Sequence, residues 1–364
     1  MNRRALHILG GVAVLAAAIA AGWIATSMLQ KTVNIRSDLS GCWRLEGTVA
    51  QTDCVSDQFL DGAAAAVDGR TGTGRDAELV SYVAEQERAA AADSRLGRIC
   101  HPAMHALGRR EGSFAADQGR VPEFPAGSSQ LCTAGYVHGL AEGYLTGTPD
   151  ADVARVFPEL CHDPAAREGC AHGVGHALLR AHASEAVATA SRAAVDRCRD
   201  LPGDFPVNCL NGVYMELAMR TTPAPVSPSQ YVRACDHATD VDQALACWSY
   251  LGLDLGTNDI GLRDVPAWCA RADRPGQLAC IEDHGRDLGI DRVGMCADAG
   301  GDANVSKRCI EGAVALQVGS GHVTAGHARS KCAQLHENDL ERHCRDAVTR
   351  YARGRDQVVA PAAP

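Results

Sequence analysis

Aromatic residues are scarce: Phe, Trp and Tyr make up 4% of the 364 residues, although 46% of the chain is hydrophobic. Alanine supplies much of that apolar share, which favours close helix–helix packing over an aromatic-rich β-sandwich. Period-two alternation of apolar and polar residues is also rare, so few strands are expected. Excess positive charge is missing. The net charge is −9, and Arg3 and Arg4 are the only charged residues among the first thirty, so the rest of the chain carries −11. An acidic surface repels phosphate backbones, and no nucleic-acid partner is expected.

Several signatures of chemistry are absent too. The chain has no G-x-S-x-G elbow, no Walker loop and no H-E-x-x-H motif. Its HGVGHALL stretch starts like a dinucleotide fingerprint, but Leu178 stands where the third small residue belongs. There is no C-x-x-C pair and no C-x-x-C-H, which argues against thiolate metal clusters and covalent haem.

What is present is an even count of sixteen cysteines, far more than a reducing cytosol usually hosts. The N-terminus points the same way. Two arginines precede an apolar run at residues 5–29, longer than a cleavable signal core and close to the roughly 20 residues that span a bilayer. Residues 1–30 are therefore expected to be a membrane anchor, with a cleaved signal peptide as the alternative. The positive-inside rule then leaves the body outside the cytoplasm of a bacterial cell, as a single-pass membrane protein, or secreted if the N-terminus is cleaved.

Aligning the chain on Cys132, Cys170, Cys209, Cys247, Cys280, Cys309 and Cys344 shows a repeat of 29 to 39 residues, with glycine three places later at Gly135, Gly173, Gly212 and Gly312. Such a drifting period is typical of helix-pair solenoids. A second cysteine precedes most of these by 9 to 13 positions: Cys161, Cys198, Cys235, Cys269, Cys296 and Cys332. The unit reads as helix, Cys, short polar loop, Cys, helix, with one disulfide closing each loop. Ser184 and Ser227 are expected helix N-caps. Cys42 and Cys54 would close a small hairpin or a stapled loop, and Cys100 and Cys132 would pair across a helical hairpin. The expected architecture is all-α: a disulfide-stapled, α-solenoid-like ectodomain behind one N-terminal transmembrane helix. Its expected parts are an anchor or signal at 1–30, a stalk at 31–75, the repeat domain at 76–354 and a disordered tail at 355–364.

Half of the fourteen histidines fall between 101 and 182. His101 and His105, His172 and His176, and His138 and Glu142 are each four apart, which puts each pair on one helix face. His138 and His176 both lie six places after their repeat cysteines, so stacking in cysteine register would make them neighbours. Met215 and then Glu216 follow in the next unit, and Asp254 and Asp287 continue an acidic row. Gly139, Gly173 and Gly175 would let backbones or a substrate approach closely. The pattern predicts a transition-metal site of His101, His105, His138, Glu142, His172 and His176, with Glu216 close by. Glu142 or Glu216 would act as proton acceptor if the site is catalytic, in redox or hydrolytic chemistry. Mixed imidazole and carboxylate donors suit iron, which is favoured here, with copper or zinc as alternatives. Six or seven donors favour a two-metal site or one open to substrate. His162, His182 and the later histidines are read as surface or structural. A polar structural network, in a non-catalytic scaffold that binds a protein or envelope component, is the competing reading.

The spacings His-x-x-x-His and His-x-x-x-Glu partly resemble the ligand pattern of hemerythrin-like non-haem iron proteins. That likeness stops at the spacings, because the disulfide repeat departs from a four-helix bundle, and no oxygen-binding role is carried over. The segments HPAMHALGRR, Cys-x-x-Gly-x-x-His-Gly and Cys-x-His-Gly-x-Gly-His, at about 100–220, resemble exported bacterial and archaeal Cys/His-rich proteins. This resemblance implies export and a helical repeat but no particular activity.

Overall fold

Local sequence sets a simple alternation of short and long helices. The computed structural model describes residues 39–125, 131–219, 226–257, 260–298, 302–319 and 323–359. The long helices are α3 (Ser94–Asp117), α4 (Leu131–Leu145), α6 (Arg167–Ala181), α8 (Phe205–Met219), α10 (Val241–Thr257), α12 (Arg274–Leu288), α13 (Ala303–Gly319) and α15 (Asn338–Val359). Each packs on the next to form one continuous inner row. Short helices stand between them on the outer side: α5 (Asp150–Leu160), α7 (Val187–Cys198), α9 (Pro228–Cys235), α11 (Val265–Cys269), a 3-10 segment (Ile290–Ala297) and α14 (Ala325–Cys332). No strand occurs among the described residues. The all-α, disulfide-stapled architecture is thus observed.

Eight disulfides form: seven between the partners expected from their 9–13-residue spacing, and one between the remaining cysteines, Cys100 and Cys132. Cys161–Cys170, Cys198–Cys209, Cys235–Cys247, Cys269–Cys280, Cys296–Cys309 and Cys332–Cys344 each tie a short outer segment to the following inner helix. Cys42–Cys54 closes the N-terminal loop, and Cys100–Cys132 joins α3 to α4, which run parallel and so do not form the expected helical hairpin. Closing a loop of about ten residues constrains the unfolded chain. The paired variant Cys198→Ala/Cys209→Ala is therefore expected to lose about 2–5 kcal/mol of stability in urea unfolding. An unchanged midpoint would show that the staple is dispensable.

The inner helices come unusually close because glycines line their crossings. A Cβ on Gly135, Gly139 or Gly143 of α4 would meet the carbonyl oxygens of His101, His105 and Arg109 of α3 at 2.2, 2.2 and 2.0 Å. A Cβ added to Gly173 of α6 would likewise run into the His138 carbonyl, and one on Gly212 of α8 into the His172 carbonyl. Contact residues increase together along both helices of each pair, so successive inner helices run parallel, as translation between repeats requires. The backbone carbonyls of four histidines therefore rest on glycines of the next helix.

Three expectations are corrected here. The segment expected to be a stalk at 31–75 contains α1 (Thr48–Ala66) and the start of α2 (Gly72–Ala92). Val55, Phe59 and Ala63, four residues apart, form a buried stripe within the N-terminal core, and α1 packs on α3. Of the two alternatives for Cys42 and Cys54, the stapled loop is found rather than the hairpin, between helical segments, and the Gly-rich GRTGTGR stretch runs from the turn before α2 into its first residues. Likewise α15 continues through Val359, into the segment expected to be a disordered tail. Of the two expected caps, Ser227 closes a capping box with Gln230, whereas α7 has Ala186 rather than Ser184 at its N-cap and no side-chain cap. The expected anchor lies outside the described residues, among which no helix is long and apolar enough to cross a membrane.

Candidate metal centre

Five imidazoles converge where α3, α4 and α6 cross. His138 stacks on His172 with ring centroids 4.1 Å apart, and His105 meets His176 edge-on at 4.6 Å. His101 lies 5.1 Å from His138, and His172 lies 5.0 Å from His176. Ligand atoms of His105, His138 and His176 all lie within 4.8 Å of one another, and so do those of Glu142, His176 and Glu216. The structure thus brings all six sequence-derived residues and Glu216 into one cluster.

The register inside that cluster differs from cysteine counting by one helical turn. Gly173 resting on the His138 carbonyl sets His172, not His176, against His138. His176 lies one turn further along, between Glu142 and Glu216, with a 6.1 Å centroid distance to His138. Met215 meets His172, its sulfur 3.3 Å from Nε2. Of the expected acidic row, Asp254 is buried and Asp287 turns to Arg292 (3.3 Å). His162 is exposed, and His182 pairs with Glu185 at 2.7 Å.

Hydrogen bonding leaves several of these nitrogens uncommitted. His176 bonds Glu216 Oε2 through Nδ1 at 2.9 Å, while its Nε2 is buried without a hydrogen-bond partner. Nδ1 of His138 and both ring nitrogens of His105 are likewise buried without one, although Glu142 Oε2 approaches His105 Nδ1 at 3.3 Å. Buried polar atoms are almost always satisfied, so several orphaned nitrogens in one spot call for a shared ligand. Burial, reinforced by neighbouring positive-capable groups, holds His105, His138 and His172 well below the ordinary imidazole value. They are neutral at pH 7, the form that binds metal.

Two arginines that sequence reasoning missed complete the site. Arg180 Nε lies 2.6 Å from Glu142 Oε1 and 2.8 Å from Glu216 Oε1, and Arg109 Nη1 lies 3.7 Å from Glu142. Their signal was available: each stands four residues after a cluster histidine, His176 and His105, and so prolongs the same helix face. Burial pushes the Glu142 carboxyl above the usual range, and the nearby Glu216 charge adds to this. Burial acts on Glu216 in the same direction but is outweighed by the His176 hydrogen bond and Arg180, so this carboxyl lies low.

An open recess of ≈ 380 Å³ reaches the cluster from solvent, lined by His138 and His172 together with Pro164, Ala165, Glu168, Gly169 and Asn208. A Cβ on Gly169 would stand 3.7 Å from His138 Nε2 and narrow this approach. No family model matches the chain, and no curated protein or solved structure matches it.

Proposed function

We propose that this protein is an exported transition-metal-binding protein whose ion is held by His105, His138 and His176. The observation that carries this reading is the meeting of three imidazoles from three successive helices, within 4.8 Å and with buried nitrogens lacking hydrogen-bond partners. His101 and His172 stand at the margin of the triad, and the recess beside His138 and His172 supplies an access path. Three protein ligands leave a coordination position free, as catalytic zinc sites do, so small-molecule redox or hydrolytic chemistry at the ion fits the site. Glu216 orients His176 through Nδ1, the carboxylate–histidine arrangement that fixes a metal ligand's ring and tautomer. Glu142, adjacent to His105 and above the usual carboxylate range, is the better candidate for a proton acceptor. Iron remains the favoured ion for mixed donors, and an imidazole-only triad suits copper or zinc equally.

Eight disulfides fit an oxidising compartment, and the apolar segment 5–29 after Arg3 and Arg4 fits a single-pass anchor with the body outside the cytoplasm. We place the protein with the exported Cys/His-rich helical repeats it resembles at residues 100–220.

Elemental analysis of the full chain, exported under metal-replete conditions, tests the reading. The wild type should carry about one ion per chain, as a three-ligand site with an open position requires. His176→Ala should carry almost none while keeping its helical circular dichroism, and Glu216→Gln should bind about 10–100-fold more weakly. Equally negligible metal in all three would leave the scaffold reading, with a protein or envelope component as partner.

A further inference from the structure

Glu142 and Glu216 are 1% and 5% exposed, so their charges sit almost wholly out of water. Buried carboxylates need matched positive charge nearby. Here it comes from two guanidiniums on neighbouring helices. Arg180 Nε bridges one oxygen of each carboxylate at 2.6 and 2.8 Å, and Arg109 approaches Glu142 at 3.7 Å. Together they place two positive charges against two negative ones, the same balance that one divalent cation would provide.

The geometry points to a second divalent-cation position made by Glu142, His176 and Glu216, which the Arg180 guanidinium fills. This inference rests on the imidazole triad's holding the first ion. Three observations carry it. Ligand atoms from the three residues already lie within 4.8 Å of one another. Both Glu142 oxygens are buried yet accept no hydrogen bond, and Oε1 meets Arg180 as an ion pair that another cation can replace, while Oε2 faces His105. Finally, the Arg180 side chain is 46% exposed and stands in the last turn of α6, so it can swing into solvent without disturbing the helix crossings.

His176 is the hinge between the two positions. Its Nε2 is available to the imidazole triad, and its Nδ1 faces Glu216. A second ion would bind His176 through Nδ1 in place of its hydrogen bond to Glu216. Arg180 thereby keeps the centre at one ion, and its withdrawal converts the centre to two ions that share one imidazole.

The test is metal stoichiometry by equilibrium dialysis of the full chain against zinc ions after chelator treatment. The wild type should saturate at one ion, and Arg180→Ala and Arg180→Gln at two. Arg180→Ala/Glu142→Gln should return to one, locating the extra ion. Arg155→Ala, which removes an exposed ion pair on α5, should stay at one. Circular dichroism and gel filtration verify the fold, and the glutamine variant serves if the alanine variant does not fold. A wild type that binds no zinc overturns the metal reading as a whole. A wild type at one with both Arg180 variants also at one overturns only the second position. Two ions in the wild type, or in Arg155→Ala, would overturn the role given to Arg180.

Discussion

Gly139→Ala is expected to destabilise the protein strongly and to deplete its metal, although alanine is the better helix former. Helix propensity alone favours the substitution by about 1 kcal/mol. Packing opposes it: the added Cβ would stand 2.2 Å from the His105 carbonyl oxygen, 2.8 Å from the Arg109 amide nitrogen and 2.9 Å from the Gly108 Cα. All three are backbone atoms of α3 and cannot turn aside as a flexible side chain would, so the helices must separate. Overpacking of cores costs about 1–3 kcal/mol and occasionally more, and backbone clashes belong at the upper end. Separation would also carry His105 away from His138 and His176, so metal content should fall with the urea midpoint. Gly74→Ala in α2, where a Cβ meets nothing within 4 Å, serves as the control and should leave both quantities unchanged or raise stability slightly. A Gly139→Ala protein as stable as the wild type, with its metal retained, would show that the glycine crossings do not set the site.

The second large effect is acid lability of the metal-free protein. Burial, with the neighbouring histidines and Arg109, keeps His105, His138 and His172 neutral in the fold, well below the ordinary value of about 6.5. Burial and Arg292 similarly push His284, on α12, down to about 4. Once unfolded, all four take up protons as the pH falls through about 6.5. The unfolded state then binds more protons than the native one, and stability declines with falling pH. Two carboxyls act with the opposite sign: Glu142, which burial raises, and Asp283, which burial pushes up to about 6. The histidines outnumber the two opposing carboxyls, so on balance stability falls as the pH drops below about 6.5. Glu216 joins the loss only at lower pH, because its carboxyl is held below the usual range. Urea unfolding of chelator-treated protein between pH 7.5 and 5 would measure this slope. His105→Gln/His138→Gln should flatten it by about two protons, whereas a wild type equally stable at pH 7.5 and 5 would contradict the neutral-cluster account.

Both expectations depend on the same crossings, and these mark the boundary between what was legible in the chain and what was not. Helices and staples were legible because they are local. A cysteine 9 to 13 residues from its partner can close a loop without knowing the rest of the fold, and all seven such pairs form as spacing indicates. Histidines four apart share a helix face by helix geometry alone, so the members of the cluster could be named from spacing. Their mutual arrangement could not. Counting from cysteines sets His138 against His176, yet the fold sets it against His172, because register between two helices is decided by which glycine receives which carbonyl. The same non-local decision delivers Arg180 to both Glu142 and Glu216, 38 and 36 residues away in the chain. It also turns residues 48–66 from an apparent stalk into a helix packed on α3, since Phe59 shares its core with Leu79, Met104 and Leu107 of later helices. Spacing along one helix is a property of covalent geometry, whereas the placement of one helix on another is a property of two surfaces meeting. The residues that could hold an ion were therefore visible in the sequence, and the charges that surround them were decided only by packing.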